Sequence, residues 1–210
     1  MIELGIVDTE QRVRPPVGAI ILAAGGSSRM GEPKQLLTIA GQPMVRRVAE
    51  VVCSAGLNQV VVVVGAHANA VEEALGSLAV QTVHNRAWAE GMSSSLRTGL
   101  DALQQDIQAA LIVLADQPGL TAGLVQELVL RYQATRAPIV APFYQGRRGN
   151  PVLFDRALFA DLQRVEGDQG GRGLLDRYQD RLQRVEVEDP AVLLDVDTRQ
   201  DYRTLDIEET

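Results

Sequence analysis

With 210 residues the chain is long enough for one hydrophobic core and short for two. Hydrophobic residues make up 46% and charged residues 22%, which excludes the apolar-poor composition of a disordered chain. A formal net charge of −7 argues against a nucleic-acid partner, because backbone binding needs a basic face that displaces counterions; any polyphosphate ligand must be held by a local cluster of amides, cations and metal.

Residues 1–16, MIELGIVDTEQRVRPP, carry Glu3, Asp8 and Glu10 without a continuous apolar stretch. They read as an N-terminal extension rather than a secretory signal, ahead of a folded domain at 17–206. No apolar run approaches the ~20 residues of a membrane span, so a soluble, cytoplasmic protein with no membrane partner is expected. Cys53 is the one cysteine, so no intramolecular disulfide can form, and the two histidines, His67 and His84, make no zinc spacing with it.

Short apolar runs rich in β-branched residues recur at 17–23, 60–64, 111–115, 139–143, 151–154 and 193–196, and they predict buried strands. Helix-period segments at 43–55, 68–75 and 93–103 separate the first three. Strands alternating with helices predict an α/β fold with a Rossmann-like, doubly wound, mostly parallel sheet. Gly146, Gly149 and Pro151 break that rhythm, so a small antiparallel excursion is expected in the C-terminal third.

The first strand runs directly into AAGGSSRMGEPK. Small residues Ala23, Ala24, Gly25, Gly26 and Ser27 let a backbone turn approach an anion closely and aim consecutive amides at it, while Arg29 and Lys34 bring positive charge. Glu32 and Pro33 follow Gly31 where a Walker loop requires Lys and Ser or Thr, so this is a phosphate loop of another kind.

Asp116 leaves the carboxyl end of the apolar run at 111–115, the sheet edge where ligands of open α/β folds bind. It reads as a magnesium ligand, or as the cap of a helix beginning near Thr121. Asp195 and Asp197 close the run at 193–196; alternation along a strand sets them on one face, so the pair reads as sharing a metal, with Asp197 the second metal ligand, or one of them as the cap of the following helix.

Between the second and third strands, NRAWAEGMSSSL offers Asn85, Gly91 and Ser95 as base or ribose contacts, with Trp88 read as a core residue. In GRRGNPVLF, Gly149 and Asn150 read as a tight turn, and Arg147 and Arg148 as contacts for an anionic acceptor or as solvated charge. The same two readings, acceptor contact or solvated charge, cover Asp168 and Arg172 in GDQGGRGLL. No nucleophile–base pair stands out, which fits phosphate chemistry, where positioning and charge neutralisation matter more than deprotonation.

In combination, LAAGGSSRMGEPKQLL, NRAWAEGMSSSLRTGL, LADQPGL, GRRGNPVLF, GDQGGRGLL and DVDTRQDY resemble the MobA-like nucleotidyltransferases, in particular the molybdenum cofactor cytidylyltransferases of MocA type. The resemblance spans about Ala19 to Tyr202, and the first motif alone is common to many sugar and isoprenoid nucleotidyltransferases. It implies a nucleotide-diphospho-sugar transferase-like fold and transfer of CMP from CTP to molybdenum-bearing molybdopterin with release of pyrophosphate. Catalysis would fall to Lys34, Arg29 and Asp116, and Mg²⁺, or Mn²⁺ in its place, to Asp116 and Asp197. The nucleotide would lie on Ala23 to Ser27, Arg29, Lys34, Asn85, Gly91 and Ser95, and the acceptor on Arg148, Asn150, Asp168 and Arg172. Ala24 and the Ser95-Leu96 pair are of the cytidine type. Gly171 departs from the family pattern GDxGAR. Transient contact with a molybdoenzyme or its chaperone is the further partner implied. A sugar or polyol phosphate acceptor is the runner-up, and a non-catalytic nucleotide-binding regulator lies further off.

Overall fold

The computed structural model describes residues 14–27, 31–169, 171–196 and 198–208. Residues 1–13 of the expected extension lie outside them. In chain order, β1 (Val17–Ala23) leads through a hairpin of β2 (Thr38–Ile39) and β3 (Gln42–Pro43) into α1 (Met44–Ser54). Then come β4 (Gln59–Val64), α2 (Ala68–Leu75), β5 (Gln81–His84), α3 (Met92–Asp101), β6 (Ala109–Leu114) and α4 (Ala122–Thr135). The last part holds β7 (Ile139–Tyr144), β8 (Arg147–Arg148), β9 (Val152–Asp155), α5 (Phe159–Leu162), α6 (Arg172–Arg177), β10 (Leu182–Glu186) and α7 (Arg199–Glu208).

An eight-stranded sheet in the order β10-β7-β9-β6-β1-β4-β5, with β8 paired to β7, forms the centre. β1 pairs in parallel with β4 on one side and β6 on the other, and β4 with β5, so the chain winds outward to β5 and returns across β1. The C-terminal ends of β1 and β6 therefore flank the point where the winding reverses.

The apolar runs at 17–23 and 59–64 have no alternation because both faces are covered. Ala19, Ile21 and Val62 pack against Val48, Val52, Val71 and Leu128 from α1, α2 and α4. Ile20, Val61 and Val63 pack against Leu96, Leu100, Leu162 and Leu174 from α3, α5 and α6. The result is the three-layer, mostly parallel α/β fold expected.

The antiparallel excursion is present, and its main strand lies inside the sheet: β9 is antiparallel to both β6 and β7 and separates them. One expectation fails. Residues 193–196 are not a strand: Pro190–Leu193 form a 3₁₀ turn, opened by the Asp189 carboxylate accepting from the Ala191 amide at 2.8 Å, and residues 194–196 continue irregularly. Pro190 has no amide for a ladder, and Leu194 is 45% exposed, so the run is apolar without being sandwiched. Its amides and carbonyls make single ties instead, Val196 N to Asp116 O at 3.1 Å and Asn150 N to Val192 O at 3.0 Å. Among the described residues no helix is long and apolar enough to cross a membrane.

Candidate active site

A cleft of about 720 Å³ opens at the C-terminal ends of β1 and β6. The turn from Ala23 to Ser27 enters it directly from β1, and Asp116 enters it from the end of β6. The turn is fastened from outside the sheet by Gln35, only 3% exposed, whose amide nitrogen donates to Ala23 O at 3.4 Å and Gly25 O at 3.1 Å. Its amide oxygen accepts from the Ser27 hydroxyl at 3.2 Å, and that hydroxyl accepts from the Lys34 amide at 2.9 Å. Residues 34 and 35 thus hold the loop that precedes them, with Ser27 in the left-handed region at φ 51°.

Lys34 Nζ forms an ion pair with Asp116 Oδ2 across the cleft floor. The other carboxylate oxygen, Oδ1, is buried and has no hydrogen-bond partner among the described residues. A buried carboxylate oxygen left with open lone pairs, beside a phosphate-type loop, fits a hard divalent cation that takes one or two carboxylates and completes its shell with substrate oxygens and water. The capping alternative for Asp116 falls away, since Thr121 Oγ1 accepts from the Leu124 amide at 3.3 Å and starts α4. Thr198 and Asp201 form a reciprocal capping box at the start of α7, at 3.2 and 2.8 Å, so a cap there is already supplied.

Of the residues singled out from sequence, Ala23, Ala24, Gly25, Gly26, Ser27, Lys34, Gly91, Ser95, Asp116, Arg148, Asn150 and Asp168 all line this one cleft. Asn85 does not. It is 4% exposed, and its amide donates to the Ser94 and Ser95 hydroxyls at 2.7 and 3.0 Å while its oxygen accepts from the Ala87 amide at 2.9 Å. Asn85 therefore shapes the loop ahead of α3. Asp168 accepts from the Met92 amide at 3.1 Å, so a residue 76 positions away caps α3, whose own N-cap is Gly91. Arg29 and Asp197 lie outside the described residues; Arg172 begins α6, and its side chain is likewise outside them.

Three contributors were missed from sequence: Gln35, Trp88 and Phe154. Gln35 reads as a surface amide in PKQLL until the fold buries it. Trp88, expected in the core, is 39% exposed and lines the cleft. Asp195, paired from sequence with Asp197 as a shared metal site, also lines it, accepting from the buried Gln117 amide at 2.5 Å. Phe154 lines it too, and explains the departure at Gly171: a Cβ there would stand 2.7 Å from Phe154 Cζ, so the ring fills the space of an alanine methyl.

A glycine-rich turn for phosphates and a lysine–carboxylate pair, set where a doubly wound sheet reverses, are the equipment of a nucleotide-handling transferase domain. The sequence profile of the MobA-like NTP transferase domain matches residues 19–184, and the chain belongs to that family of nucleotidyltransferases. Nicotine blue oxidoreductase of Paenarthrobacter nicotinovorans is 34% identical over 91% of this chain and 97% of its own length. The molybdenum cofactor cytidylyltransferase of Escherichia coli is 27% identical over 90% of this chain and 94% of its own length. Among solved structures, Rv0371c of Mycobacterium tuberculosis superposes with a TM-score of 0.82 at 29% identity, covering 92% of this chain and 99% of that one. Its manganese complex superposes with a TM-score of 0.77 at 28% identity over 90% and 97% of the two chains.

Proposed function

We propose that the protein transfers CMP from CTP to a molybdenum-bearing molybdopterin and releases pyrophosphate, acting in the cytoplasm. The observation that carries the reading is the Lys34–Asp116 pair beside the Gly25–Gly26 turn, with Asp116 Oδ1 buried and without a hydrogen-bond partner among the described residues. The full-length similarity to the Escherichia coli cytidylyltransferase supports the choice of donor and acceptor.

In this reading the amides of Gly25 to Ser27 and the Arg29 guanidinium bind the triphosphate, and Gln35 keeps the turn in a conformation that needs no rearrangement on binding. Lys34 stands by the reacting phosphates, where its ammonium offsets the charge that gathers on the departing pyrophosphate. Asp116 with Asp197 would hold Mg²⁺, or Mn²⁺ as in the neighbouring structure's complex. When bound, the ion supplies charge neutralisation on the phosphate oxygens. Arg148, Asn150, Asp168 and Arg172 orient the acceptor, whose phosphate is already ionised near neutral pH and attacks the α-phosphorus without a general base. Ala24 and Ser95 shape a site for a pyrimidine, in which a guanine would leave polar groups unpaired.

The test is pyrophosphate release with CTP and GTP in the presence of molybdopterin. CTP is expected to be preferred by ~10²-fold or more, the scale set by mispaired polar groups in a specific site. Comparable turnover with both sinks the cytidine assignment and leaves the family standing. A second reading draws on the 34% identical relative named as an oxidoreductase: the same cleft would take a redox-active substrate. Reduction of nicotine blue by the purified chain supplied with a two-electron donor such as a reduced nicotinamide dinucleotide, at a rate above that without the chain and with no pyrophosphate released from any NTP, would favour it.

A further inference from the structure

We propose that Trp88 is the platform on which the base of the bound nucleotide stacks; this rests on the nucleotide-transfer reading above. Trp88 belongs to the 3₁₀ turn between β5 and α3, and it keeps 39% of its surface exposed where it lines the cleft, which leaves part of a large aromatic side chain accessible to a ligand.

Its placement against the phosphate-type loop is specific. A Cβ at Gly26 would meet Trp88 Cζ3 at 3.0 Å, and one at Gly65 would meet Trp88 Cβ at 2.8 Å and Ala24 O at 2.6 Å. Two glycines therefore let the indole sit directly on the turn that receives the phosphates, so a nucleoside joined to those phosphates is within reach of the ring.

The turn carrying Trp88 is also fixed before any ligand arrives. Asn85 Oδ1 accepts from the Ala87 amide at 2.9 Å, the Ser94 hydroxyl lies 2.9 Å from Ala87 O, and Glu90 N donates to Ala87 O at 2.9 Å. A platform held this way loses little side-chain freedom on binding.

Stacking tolerates any base, because every base has a π-face. Trp88 accordingly supplies affinity shared by all nucleotides, while Ala24 and Ser95 supply the choice among them.

The chain has a single tryptophan, so its emission reports this site alone. In the full chain, CTP is expected to quench or shift that emission saturably, and inorganic tripolyphosphate, which has no base, is expected to bind without doing so. By calorimetry, Trp88→Ala should raise the Kd of CTP and of GTP alike by ~10–100-fold, leave that of tripolyphosphate unchanged, and fall on KM rather than kcat. Trp88→Phe should restore most of the affinity. CTP binding to the unmodified chain without any change in emission overturns the stacking role, a result that needs no variant to fold. So does a Trp88→Ala variant that weakens tripolyphosphate as much as CTP, which would make Trp88 a support for the loop at Gly26. Absence of any nucleotide binding to the unmodified chain overturns the nucleotide reading itself.

Discussion

Replacing Gln35 by methionine removes the fastening of the phosphate-type turn while keeping the side-chain volume. The structure assigns Gln35 three hydrogen bonds, to Ala23 O at 3.4 Å, to Gly25 O at 3.1 Å and from the Ser27 hydroxyl at 3.2 Å. At ~0.5–1.5 kcal/mol each, with the longest near the low end, their loss totals about 2–3 kcal/mol. Ser27 keeps its bond from the Lys34 amide at 2.9 Å, so the loss stays near the lower figure. For a domain of this size ~2 kcal/mol corresponds to roughly 4–8 °C in Tm, readable by calorimetry. If the same free energy is what holds the turn ready for the triphosphate, kcat/KM falls by up to ~30-fold, since 1.36 kcal/mol is tenfold in rate. Pyrophosphate release under first-order conditions in CTP measures it. A folded Gln35→Met protein with the Tm and kcat/KM of the parent would refute the claim that Gln35 holds the loop.

Lys34→Ala removes the cation paired with Asp116 and is expected to lower turnover by ~10²–10³-fold in a protein that stays folded by circular dichroism; parental turnover would refute its role. Asp116→Asn keeps the shape and removes the charge, so metal-dependent pyrophosphate release should fall and be partly rescued by raised Mg²⁺, whereas an unaltered metal titration would remove Asp116 from the ion. Gly171→Ala sets a methyl 2.7 Å from Phe154 Cζ and is expected to cost ~1–3 kcal/mol of stability by denaturant titration, because the ring must leave its place; no change would mean that the ring shifts freely.

The strands at 17–23, 59–64 and 109–114 were legible because each is apolar on both faces and bounded by helix-period segments, a pattern that only a covered parallel strand needs. The same criterion misread 193–196, where hydrophobicity serves a small cluster of Val196 with Ile39 and Met44 rather than a sheet. The insertion of β9 between β6 and β7 left no local trace, since strand order is fixed by pairing across distances that composition does not encode. Within the site, residues whose chemistry is written in their type were legible: the glycine turn, Lys34 and Asp116. Gln35 and Asn85 were harder, because an amide that satisfies buried carbonyls or hydroxyls looks like any surface amide until burial is known. Trp88 was placed in the core because burial is the ordinary fate of a large ring; only the two glycines that seat it show that it was set apart.

The most direct test of the central claim is to incubate the purified chain with Mg²⁺, molybdenum-bearing molybdopterin and each nucleoside triphosphate in turn, and to weigh the products by mass spectrometry. Pyrophosphate and an acceptor heavier by one cytidylyl group are expected with CTP, with little product from GTP. An acceptor of unchanged mass with every nucleotide, from a chain that binds nucleotide and stays folded, would contradict that claim.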